Sequence, residues 1–145
     1  FMNLGIFATV ILMRNGDFSG EAIDDYGGLA KSHPGLALLM LLYLFSLAGI
    51  PPTAGFFAKF YVLVALVERG FVGLAVVAVL LSAIAAYFYI RIVMVIYMRE
   101  PGEQTYPALT PSVRATLALT AAGTIGIGLF PAWFLKLAQD SVFGG

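Results

Sequence analysis

The sequence predicts an all-α, polytopic transmembrane helix bundle in which one helix is discontinuous, broken at Pro51-Pro52. Three observations predict it. Hydrophobic residues make up 61% of the 145 and charged residues only 11%, where soluble domains carry about a quarter charged. The apolar residues fall into long runs separated by short polar stretches, as bilayer spans require. A proline pair interrupts the run "FSLAGIPPTAGFFAKFYVLVALV" without any change in its apolar character.

In chain order, residues 1–13, "FMNLGIFATVILM", are apolar and lack the basic start and small-residue cleavage site of a signal peptide. Such a run covers about 20 Å of helix, short of a ~30 Å hydrocarbon core. It is expected to be the end of one span, in the C-terminal piece of a longer membrane protein. Residues 14–33 carry six charges and four glycines and read as a solvated loop, with one amphipathic turn near "AIDDYGGLAK". Residues 34–67 read as the broken helix, about 45 Å if continuous, which suits one tilted, interrupted crossing. Loop charges fit one crossing with both longer loops cytoplasmic, yet two crossings would be about as uneven the other way. "ERG" turns the chain. Residues 71–98 form a full helix that ends at "REPG". Residues 99–112 are a second loop and residues 113–139 the last span, with Trp133 in an interfacial belt.

Composition also excludes chemistry. There is no cysteine and a single histidine, His33, so iron–sulfur, haem and zinc sites lack ligands. Formal net charge is +0, and no basic run favours nucleic acid. No metal or cofactor site is expected in this chain.

The break concentrates the candidate chemistry. Pro51 has no N–H for the Leu47 carbonyl, and Pro52 has none for Ala48. Gly49 and Gly55 loosen the backbone there. Ser46 and Thr53 are the nearby hydroxyls. Free carbonyls at membrane depth are tolerated beside a polar cavity, and broken helices of this kind mark ion pathways in transporters. Lys59 follows two turns later among apolar residues. An intramembrane lysine is costly and faces function by default; one held near neutrality passes protons to water. The competing reading is a structural interhelical contact. Arg91 stays charged, so it orients water, sets potential or snorkels. Ser82 and Tyr89 are seven apart on one helix face; with Tyr87 they are candidate water-lining partners. Tyrosines that simply pack between helices are the bland alternative.

The stretches "FMNLGIFA", "GLAKSHP", "LFSLAGIPPTAGFFAKFYV", "SAIAAYFYIRIVMVIYMREP" and "GLFP" resemble, in order, the antiporter-like membrane subunits of respiratory complex I, the subunit N or chain 2 family. The middle stretch is shared with Mrp-type cation/proton antiporters. The resemblance implies a bundle of two inverted repeats, with a broken helix bearing the proton-carrying lysine, here Lys59. It implies other membrane subunits of complex I, lipid, protons and water as partners. NADH, FMN, iron–sulfur clusters and quinone would belong to other subunits, and the location would be the bacterial inner membrane. The glutamate and lysines of the family's first repeat have no counterpart here, so a complete channel is not expected from these residues alone. The alternatives are an Mrp-type antiporter subunit, a structural subunit without transport, or a quinone contact.

Overall fold

A computed structural model describes residues 1–14, 22–100 and 110–143. Those residues form α1 (Met2–Met13), a 3-10 turn (Ile23–Tyr26), α2 (Leu29–Ser32), α3 (Pro34–Ala48), α4 (Ala54–Glu68), α5 (Val72–Met98), α6 (Pro111–Leu129) and α7 (Pro131–Phe143). No strand occurs among the described residues. The bundle is all-α, and the apolar segment around Pro51-Pro52 is discontinuous, its halves α3 and α4 separated at the proline pair. Parts of the two expected loops, residues 15–21 and 101–109, lie outside the described residues.

Two helices, α5 with 27 residues and α6 with 19, are long and apolar enough to cross a membrane; α1 and α3 are shorter apolar helices. Leu74, Leu80, Leu81 and Ile84 of α5 are each more than half exposed. A continuous apolar face of that kind suits lipid or further helices.

The core lies between α1, α3, α5 and α6. It contains Leu12, Met13, Leu36, Ala37, Met40, Tyr43, Ile96 and Leu117, with Leu29 and Tyr26 covering it at one end. Gly5 lets α1 approach α3, because a Cβ there would strike the Tyr43 ring. The fully buried Tyr43 hydroxyl lies 3.0 Å from the Leu117 carbonyl and 2.8 Å from Thr120 Oγ1, joining α3 to α6. Thr120 also donates within its own helix, to the Thr116 carbonyl at 2.8 Å. Tyr43→Phe therefore strands no hydroxyl. We expect it to cost about 1 kcal/mol, read as a small fall in the thermal midpoint of the detergent-solubilised protein. A loss several times larger would mean that the ring, not the hydroxyl, had been displaced.

The segment between α1 and α3 is strapped to the end of α5. Arg99 Nη1 donates to Asp24 Oδ1 at 2.6 Å and Lys31 Nζ to Glu100 Oε1 at 2.7 Å, while Gly28 N–H faces the Val95 carbonyl at 3.4 Å. Asp24, which reads as a solvated loop residue, is half of an ion pair. Burial, with a smaller contribution from Asp25, pushes the Tyr26 phenol up to about 12. The starts of α3 and α6 share a groove at this same end. The starts of α3 and α6 and the end of α5 thus lie at one end of the bundle.

The last helix differs from the expected single span over 113–139. It starts at Pro111, with Thr110 Oγ1 accepting from Val113 N–H at 3.5 Å, and stops at Phe130 (φ −122, ψ 53). Pro131 has no N–H for the Ile127 carbonyl and pushes its predecessor out of helical geometry. A separate helix, α7, then begins with proline in its first position.

Candidate functional site: the helix break and Lys59

Helix α3 ends at Gly49, whose φ of +83 is left-handed. Glycine takes this conformation without a Cβ penalty. Gly49 N–H and Ile50 N–H both return to the Phe45 carbonyl, each at 3.0 Å. The Pro51-Pro52 bond is cis. Thr53 closes the link, its Oγ1 donating to the Ile50 carbonyl at 2.7 Å, and α4 begins at Ala54.

The start of α4 lies against the end of α3 rather than following on from it. Gly55 N–H donates to Ser46 Oγ at 3.1 Å. A Cβ on Gly55 would fall on the Ser46 carbonyl oxygen, and one on Gly128 would strike the Pro52 carbonyl. Glycines on α4 and α6 therefore allow three backbones to meet at the break. Ser46, fully buried, also donates to Met2 Sδ at 3.1 Å.

This overlap returns Lys59 to the carbonyls that the prolines leave without donors. Its Nζ donates to the Leu47 carbonyl at 2.9 Å and to the Ala48 carbonyl at 3.2 Å. Its aliphatic stem runs beside Gly49, where a Cβ would sit 3.1 Å from Lys59 Cδ. The ammonium thus caps the C-terminal, electronegative end of α3. No carboxylate pairs with it among the described residues.

Lys59 also borders open space. A cavity of about 390 Å³ is lined by Met2, Ser46, Leu47, Gly55, Ala58, Lys59, Leu81, Ser82, Ala85 and Tyr89. A second, of about 270 Å³, is lined by Lys59, Ser82 and the apolar residues Ala58, Val62, Leu63 and Ala78. Lys59 and Ser82 border both. Each is large enough for several waters, and hydroxyls with an ammonium give the first the polar partners that water needs.

The structure brings Lys59, Ser46, Gly55, Ser82 and Tyr89 together. Gly49 packs on the lysine stem. Pro51, Pro52 and Thr53 shape the link without lining either cavity. Two expected water partners lie elsewhere: Tyr87 is 63% exposed beside Phe88, and Arg91 is exposed on α5. Both sit two residues from Tyr89, about 200° round the helix, so they face away from it. Met2 is an unforeseen member. Among the described residues no group of three or more His, Cys, Asp or Glu is placed to hold a metal ion.

Residues 1–97 match the family described as NADH:quinone oxidoreductase/Mrp antiporter, transmembrane. The chain belongs to that family. It is 83% identical over 145 residues to NADH-quinone oxidoreductase subunit N 2 of Rhizobium meliloti (strain 1021), covering 100% of this chain and 30% of that protein. It is 50% identical over 145 residues to the subunit N 2 of Solibacter usitatus (strain Ellin6076), covering 99% and 29%. Its fold is similar to a chain of respiratory complex I from Thermus thermophilus with bound aureothin. That match has a TM-score of 0.79 and 26% identity, over 92% of this chain and 31% of that one. The chain therefore spans about 30% of the length of these relatives.

Proposed function

We propose that this chain is part of the antiporter-like membrane subunit of a proton-pumping NADH:quinone oxidoreductase in the bacterial inner membrane. Lys59 would exchange protons with water held in the cavity beside the break. The observation that carries this reading is the position of Lys59 Nζ: on two helix-end carbonyls at one side, and bordering a cavity with Ser46, Ser82 and Tyr89 at the other. A proton carrier needs both a resting partner and a water-filled exit. The names of the relatives support the oxidoreductase over a standalone Mrp-type antiporter. Electron transfer from NADH to quinone, with its flavin and iron–sulfur groups, would take place in other subunits, and coupling would reach this chain through its neighbours.

The cap itself favours a second reading. A lysine that donates to two orphaned carbonyls stabilises the break whether or not it ever releases a proton. Lys59→Ala in the full-length subunit, within the intact complex, tests the transport reading. With assembly confirmed, we expect proton pumping to fall by roughly tenfold or more, measured in the same vesicles as NADH–quinone electron transfer. Unchanged pumping in the assembled complex would leave Lys59 a structural residue.

A further inference from the structure

A groove of about 510 Å³ runs between the starts of α3 and α6, away from the Lys59 cavities. One end is polar. Arg114 lines it and forms no ion pair among the described residues. Gly35 and Leu36 line it too; their N–H groups belong to the first turn of α3, where no intrahelical acceptor exists, and no side chain caps that helix start. The rest is apolar, walled by Leu36 and Leu39 of α3 and by Leu117 and Ala118 of α6. A Cβ added to Gly35 would meet nothing within 4 Å, so the described residues leave the mouth open.

The polar end begins at Ser32, next to Lys31 of the charged strap, and charged groups at helix ends of a membrane bundle belong at headgroup level. The apolar walls continue from it along α3 and α6 towards the bundle's middle. We propose that this groove binds an anionic phospholipid. The phosphate sits on Arg114 and the open amides of α3, and an acyl chain lies along Leu36, Leu39 and Leu117. Charge complementarity selects the headgroup: arginine pairs well with phosphate oxygens, and helix starts favour anions. Depth selects a lipid, because the anion site and the apolar trough are continuous.

The test uses the full-length subunit in its intact complex, reconstituted in nanodiscs with photoreactive phosphatidylglycerol or phosphatidylcholine labelled on the acyl chain. Labelling is read on the peptide that spans residues 33–39. We expect phosphatidylglycerol to label it about fivefold more than phosphatidylcholine, and Arg114→Gln to remove that preference. Gly35→Leu, which fills the mouth, should lower labelling by both lipids. A large excess of inorganic phosphate should change nothing. Equal labelling by the two lipids, or none because another segment fills the groove, would overturn the proposal. So would wild-type labelling in either variant. Displacement by inorganic phosphate would overturn it too, by assigning the site to a free anion.

Discussion

Gly55→Ala should destabilise the protein by roughly 3 kcal/mol, the upper part of the usual range for overpacking. The added methyl would occupy the position of the Ser46 carbonyl oxygen, a backbone atom that cannot rotate aside. Relief requires α4 to move off α3. That movement pulls Gly55 N–H from Ser46 Oγ and Lys59 Nζ from the Leu47 and Ala48 carbonyls. Gly126→Ala on α6 is the matched control. A Cβ there meets nothing within 4 Å, and alanine is the better helix former by about 1 kcal/mol. Thermal unfolding of the two variants in the same detergent should move in opposite directions. A Gly55→Ala protein as stable as wild type would mean that the helix ends do not overlap as described.

Lys59→Arg should assemble and unfold like wild type yet pump as poorly as Lys59→Ala. Guanidinium can donate to both carbonyls, so the cap on α3 survives. It does not release a proton at working pH, so a relay through this position stops. Lys59→Ala loses both functions and should also lose roughly 1–3 kcal/mol of stability, because two carbonyls are left without donors in an apolar setting. The arginine variant therefore separates the two roles. Stability restored with pumping restored would make the cap the whole role of Lys59. Stability restored without pumping is the outcome that the relay requires.

Much of this site is readable from the sequence because local rules govern it. Two consecutive prolines name the carbonyls that go without donors, those of Leu47 and Ala48, whatever the tertiary fold. Ser82 and Tyr89 share a helix face through their spacing of seven, and both line the cavity. The same rule places Tyr87 and Arg91 on the opposite side, and grouping them with Tyr89 by polarity alone overlooks it. The partner of the orphaned carbonyls is not readable. Lys59 reaches them only because the start of α4 overlaps the end of α3, and the direction of a non-helical link is set by packing, not by periodicity. Gly55 and Gly128 are the traces of that packing, yet a glycine in a sequence does not say which backbone it admits. Asp24 and Arg99 are 75 residues apart in the chain, so their pairing depends on where α5 ends. Pro131 did carry a local signal, a helix stop followed by a first-turn proline; the neighbouring tryptophan favours an interfacial belt and hides it.

The break also divides the molecule mechanically. An uninterrupted helix behaves as a strut, and a push at one membrane face arrives at the other. Here the upper strut, α3, is bolted to α6 through Tyr43 and stands beside the ion-paired strap at the end of α5. Among the described residues the lower strut, α4, is hydrogen-bonded to it through the Gly55–Ser46 contact and one lysine, and joined to it by the link at 49–53. A displacement entering at the Arg69–Gly70 turn would reach Lys59 and its two carbonyl partners at the break. The lysine thus occupies a joint where movement of a half-helix would change the hydrogen bonds of a charged group.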